Sequence, residues 1–207
     1  MGKREVLGME EYLESSSFID WKHPEILERA ESLANSSQDK LEIAKSCFDF
    51  VRDEIKHSYD FRLDPVTCRA SDTLIHGTGY CYAKSHLLAA LLRANAIPAG
   101  LCYQRLLYDK ESGRFCLHGL NAVFLEEFGW YRIDPRGNNH EVTTEFSPPL
   151  EQLAFRIQVE GEVDFQEKYA NPLPAVVEVL TSLKSYIEVA ENLPDMVPVM
   201  RKRGRRD

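Results

Sequence analysis

Between Tyr80 and Asn95 the chain reads YCYAKSHLLAALLRAN. Wound as a helix, this stretch gathers Ala83, Leu87, Leu88, Leu91 and Leu92 on one side and spreads Ala89, Ala90 and Ala94 around the rest. A surface helix needs one apolar face; a helix apolar nearly all round has to be enclosed. The chain must therefore fold with this helix at its centre and other elements layered around it.

The same helix begins beside a cysteine. The run HGTGYC, His76 to Cys81, sets Gly77 and Gly79 just before it, where backbone or a substrate can approach closely. The first turn of a helix has unpaired N–H groups and a partial positive charge. Both favour a thiolate, and the N–H groups can also receive an oxyanion during acyl transfer. The plain alternative is packing, because free cysteine is among the most buried residue types.

Upstream, Ile26, Leu27, Ala30, Leu33 and Ala34 recur at helical spacing from Pro24, and a second helix is expected from about Asp39 to Ile55 with Leu41, Ala44, Cys47, Phe48 and Val51 on one face. Residues 1–23 read as an irregular lead-in and 56–72 as a loop. The period then changes. Residues 99–109, 115–125 and 129–137 are rich in aromatic and branched side chains and read as an antiparallel meander. Beyond it, the chain is expected to run extended past several prolines to a last helix at about 175–189. Helices first and strands after predict an α+β fold. The segment 146–195 holds too few apolar residues for a core of its own and is expected to wrap the first part. The expected organisation is one domain over 1–195, with its core at about 24–145, and a disordered basic tail at 196–207.

A nucleophilic thiol needs a base. Of six histidines, His23 precedes a proline, His57 and His140 fall in polar loops, and His76 lies in the glycine turn. His86 follows Cys81 on the same helix, about 140° round the cylinder, and faces away from it. His118 stands near the start of one strand and Asp134 near the end of the next. Their midpoint is residue 126, inside the LEEFG turn, and residues equidistant from an antiparallel turn are neighbours. A carboxylate there can orient the imidazole and leave its other nitrogen facing the helix, the arrangement of nucleophile, base and orienter. Taken singly, a paired strand histidine and an aspartate opening the DPRG turn are ordinary structural features.

Charge and cysteine usage narrow the function. The 207 residues have a formal net charge of −8, and setting aside the tail RKRGRRD leaves 20 basic against 32 acidic residues, a net −12. A body that acidic is a poor partner for phosphate backbones, so no nucleic-acid partner is expected. No run approaches the about 18 apolar residues of a membrane span, and the N-terminus MGKREVLGMEEYLE has no apolar signal core. A cytoplasmic chain with no membrane partner is expected. Five widely spaced cysteines without a Cys-x-x-Cys pair argue against a disulfide framework or a structural zinc site. No cofactor or metal is expected.

The segment ASDTLIHGTGYCYAKSHLLAALLRANAIPAG resembles the nucleophile region of the transglutaminase-like superfamily, with Ala96 where the usual GIPA has glycine. CLHGLNAVF is similar to its histidine strand and GWYRIDPRGN to its aspartate strand. The resemblance is specific over about 70–140 and does not account for 146–207. It implies a papain-like fold with the nucleophile helix packed on an antiparallel sheet, and a triad of Cys81, His118 and Asp134. Among members it is most like the small bacterial ones often described as cysteine proteases. The implied activity is attack on a peptide or protein amide through a thioester, ending in hydrolysis or transamidation. A catalytically inactive module that binds a peptide or protein in the same cleft is the alternative. A triad acting on thioester donors, as in arylamine acetyltransferases, fits the nucleophile neighbourhood less well. The resemblance leaves the second oxyanion donor open, with Tyr59 and His76 as upstream candidates.

Overall fold

Helix α1 (Pro24–Ala34) starts on a proline, whose missing N–H is no loss at a first helical position. Helix α2 (Lys40–Glu54) is capped by Asp39, whose carboxylate accepts from Leu41 N at 2.9 Å. Each buries one stripe, Ile26 and Ala30 on α1 and Ile43, Ala44, Cys47, Phe48 and Val51 on α2. These elements belong to a computed structural model that describes residues 8–35 and 37–197. From residue 198 onward, the basic tail lies outside the described residues.

The stretch 56–72, expected as loop, instead contains β1 (Lys56–His57), helix α3 (Ser58–Phe61) and the first residues of α4 (Ala70–His76). Strand β1 is only two residues long, and its parallel partner, β2 (Thr78–Gly79), arrives some twenty residues later. A ladder that short and that distant leaves no local period to read. Gly77 ends α4 at φ 64°, a left-handed cap that suits glycine. Helix α5 (Cys81–Ala94) follows at once, buried from Cys81 to Arg93.

Strands β3 (Ala99–Asp109), β4 (Arg114–Leu125) and β5 (Gly129–Ile133) form the expected antiparallel meander, and the sheet runs β5-β4-β3-β8, with β8 (Val163–Asp164) antiparallel on the β3 edge. A small hairpin, β6 (Glu145–Ser147) and β7 (Leu150–Gln152), lies between β5 and β8. The last helical segment is two helices, not one: α6 (Pro174–Ser182) stops at Leu183, and Ser185 caps α7 (Tyr186–Glu191) by accepting from Glu188 N. Helix α5 packs on α1, α2 and α4 on one side and on β3 and β4 on the other. This is the papain-like α+β arrangement. Val176, Leu180 and Val189 of the C-terminal helices join the hydrophobic cluster of the α5 leucines.

The close approach of helix to sheet depends on Gly119, next to His118 on β4. A methyl group there would meet Tyr82 at 2.9 Å from Cδ1 and 3.2 Å from Cα. Two buried basic side chains tie α5 to its surroundings. Arg93 donates to Ala99 O, Glu14 O and Ala170 O. Lys84, with no exposed surface, donates to Ile55 O and to Arg52 O at 3.3 Å, carbonyls at the C-terminal end of α2.

Two expectations follow from this packing. Gly119→Ala should cost about 1–3 kcal/mol through overpacking, read as a lower urea midpoint with an unchanged m-value. Burial, and secondarily the nearby Arg136 charge, pulls the Lys84 pKa down to about 7 from 10.5. Between those values the unfolded chain binds the proton that the folded chain has released, so stability rises with pH across that window. Wild type should therefore gain on Lys84→Met in urea unfolding between pH 7 and 9. A difference that stays flat over that range contradicts the assignment.

Candidate active site

Cys81 is the first residue of α5, and Tyr80 at the N-cap supplies no side-chain cap. The first-turn N–H groups thus point toward whatever sits at the helix start. Cys81 opens onto a cleft of about 2130 Å³ that His118, His57 and Phe155 also line.

The β4–β5 register pairs Asn121 with Ile133 and Leu125 with Gly129, so the turn centres on residue 127. Continued by one residue, it sets Asp134 opposite Leu120, two positions from His118. Residues two apart on a strand share a face, which makes His118 and Asp134 diagonal neighbours. Their side chains close that gap: His118 Nε2 and Asp134 Oδ2 are 2.7 Å apart. Asp134 has no exposed surface. Its Oδ2 also accepts from Ala154 N at 3.1 Å, and its Oδ1 from Arg136 N at 3.1 Å. The edge of the Phe155 ring meets the His118 ring at a centroid distance of 5.0 Å and 87°.

With Nε2 committed to Asp134, Nδ1 of His118 is left for the thiol. Burial opposes charge on this imidazole, but the Asp134 carboxylate and the Cys81 thiolate raise its pKa well above the usual histidine range. Burial likewise pushes the Cys81 thiol up, and the His118 charge and hydrogen bond, followed by the hydrogen bond and charge of His57, bring it below the ordinary cysteine value. Asp134 is held low against its own burial by His118 and by the Ala154 and Arg136 N–H groups. The arrangement favours a thiolate–imidazolium pair stabilised by a buried carboxylate. The other four cysteines, all free and buried, have thiols pushed up to about 12 by burial.

His86 turns away from Cys81, with Nδ1 2.7 Å from Cys68 O. Of the two upstream donor candidates, Tyr59 is 47% exposed and lines the cleft. His76 is exposed at the end of α4 and does not line the cleft. His57, read as a polar-loop residue, is buried and lines the cleft with Cys81. Ala154 and Phe155 also escape a sequence reading: one contributes only its backbone N–H, and the other sits in a segment with no periodicity. The sole hint for His57 is its position directly after the apolar face of α2 ends at Ile55.

Residues 28–135 match the sequence model of the transglutaminase-like superfamily. No curated protein matches the chain. Among solved structures it is similar to a protein from Cytophaga hutchinsonii, provisionally described as a cysteine protease, at 17% identity and a TM-score of 0.49, over 63% of this chain and 44% of that one. It is similar also to the periplasmic domain of TgpA from Pseudomonas aeruginosa, at 19% identity and a TM-score of 0.46, over 60% and 45%. The chain thus spans less than half the length of each neighbour.

These electrostatics predict selective alkylation. Limiting iodoacetamide at pH 6.5–7, followed by peptide mapping, should label Cys81 ahead of the other four by orders of magnitude, because only its thiol is depressed. Labelling at Cys68 or Cys116 with Cys81 untouched would contradict the thiolate.

Proposed function

The chain belongs to the transglutaminase-like superfamily, and on that premise we propose that it is a thiol enzyme acting on peptide or protein amide bonds through Cys81, His118 and Asp134. The reading rests above all on one observation: an imidazole at 2.7 Å from a fully buried carboxylate, in one cleft with a cysteine at a helix N-terminus.

Cys81 Sγ adds to the amide carbonyl as a thiolate, and the carbonyl π pair moves onto oxygen. When the intermediate collapses, the C–N bond breaks and His118 gives the departing nitrogen its proton. A thioester remains on Cys81. Water, deprotonated by His118, then releases the acid, or a substrate amine takes the acyl group in transamidation. Asp134 holds the imidazole in one orientation and stabilises its cation throughout. The cleft is large enough for a polypeptide segment, which favours peptide or protein amides over small molecules.

The triad reading predicts different signatures for its two supporting residues. His118→Ala should lower turnover of a reactive peptide amide by about 10²–10⁴-fold. Asp134→Asn should also lower it, since the neutral amide no longer stabilises the imidazolium. Cys81 alkylation at pH 6.5 should slow in both variants, because the thiol loses the charge that depresses its pKa. Unchanged alkylation together with a reduced melting temperature would instead mark His118 and Asp134 as structural. Mass spectrometry of peptides incubated with and without a primary amine separates hydrolysis from transamidation.

A further inference from the structure

A thiol with one histidine for a base has no need of a second, yet two buried histidines, His57 and His118, line the cleft at Cys81. His118 comes from the sheet. His57 comes from the helical side, where the β1–β2 register sets it opposite Gly79, two residues before Cys81. The segment around His57 is pinned on each side. Lys56 N donates to Gly77 O at 2.9 Å, Thr78 Oγ1 donates to Lys56 O at 3.0 Å, Ser58 Oγ meets Thr78 Oγ1 at 3.1 Å, and Lys84 holds Ile55 O. The ring stands edge-on to Tyr80 at 5.4 Å and 64°. Its Nδ1 is 3.4 Å from Asp60 Oδ1. Asp60 in turn is gripped by Arg136 at 2.8 and 3.0 Å and by Asn139 Nδ2 at 3.0 Å.

We propose that His57 is the side-chain donor to the oxyanion formed on the substrate carbonyl, acting beside the Cys81 backbone N–H. This deepens the reading of Cys81 as nucleophile and rests on it. Three observations select a donor over a second base. His118 already has a carboxylate at 2.7 Å whose other partners are neutral backbone N–H groups, whereas the carboxylate facing His57 is farther away and neutralised by the Arg136 guanidinium. Nδ1 faces Asp60 at 3.4 Å without a hydrogen bond to it, and Nε2–H is assigned to the substrate. The oxyanion is one bond from the carbon attached to Sγ, and His57 enters the cleft on the helical side, away from the His118 strand, where a second donor can face that oxygen. As the S–C bond forms, the carbonyl pair moves to oxygen and takes hydrogen bonds from His57 Nε2–H and Cys81 N–H. On collapse the pair returns, the C–N bond breaks, and His118 protonates the amine. His57 neither gains nor loses a proton.

Two reagents separate this role from others. Acylation by p-nitrophenyl acetate passes through a tetrahedral oxyanion and expels p-nitrophenolate. Alkylation by iodoacetamide forms no oxyanion and reports only the thiolate. In the full chain, His57→Leu should slow the acylation burst by roughly 10²-fold, the scale of one oxyanion donor. Alkylation measured at a pH where the thiol is fully ionised should remain close to wild type. His57→Gln, which restores an N–H donor, should recover most of the acylation. Equal acylation in His57→Leu and wild type overturns the proposal. So does a parallel fall in acylation and alkylation, which assigns His57 to the thiolate alone. Thermal unfolding checks each variant, and if His57→Leu does not fold, His57→Gln against His57→Ala is read the same way. A burst that persists in Cys81→Ala, or an acetyl group mapped to another residue, sinks the nucleophile reading itself, whatever the His57 variants do.

Discussion

Asp134 holds a negative charge where none of its surface reaches water. A buried carboxylate without partners is costly enough that a protein would sooner protonate it. Here three donors from three stretches of chain converge on it: the His118 ring from β4, the Arg136 N–H from the turn after β5, and the Ala154 N–H from beyond the β6–β7 hairpin. The imidazolium is stable because the carboxylate is ionised, and the thiolate is stable because the imidazolium is charged. Break the set anywhere and the remaining charges lose their reason to exist. The sheet register, the turn and the strap can be read as the means of holding one anion.

Much of this geometry is legible in the sequence, for reasons that differ by residue. The central helix is legible because its apolar residues leave it no solvent face. The adjacency of His118 and Asp134 is legible because antiparallel strands fold about a turn, and moving the centre from residue 126 to 127 leaves both on one face. The nucleophile region is legible also through its likeness to a known superfamily, which says nothing of residues 146–207. What is not legible is non-local or lies in the backbone. A two-residue parallel ladder sets His57 beside the thiol, and no period announces it. Ala154 acts through an N–H that almost any residue would supply. Lys84 looks like a stray charge on a largely apolar helix until α2 is seen to end with carbonyls against it.

The stretch matched to the superfamily stops at Asp134 and Pro135, yet the site does not. Phe155 stands over the histidine, and Leu117 N donates to Pro194 O at 2.7 Å one residue before His118. Tyr80, at the helix start, donates its hydroxyl to Tyr186 O. Residues from 150 to 193 therefore help line the cleft, and part of whatever selectivity it has lies outside the stretch matched to the superfamily.

The Ala154 hydrogen bond has a consequence in time. During synthesis Cys81 leaves the ribosome first, then His118, then Asp134, and a short apolar helix could collapse on the meander before the strap exists. At that stage the carboxylate lacks one of its three donors and the histidine lacks the ring above it. The imidazolium beside the thiol is then less firmly held, and more of the thiol stays protonated. The full set of donors around Asp134 is complete only when the strap docks, so the state of Cys81 waits on a segment synthesised well after it.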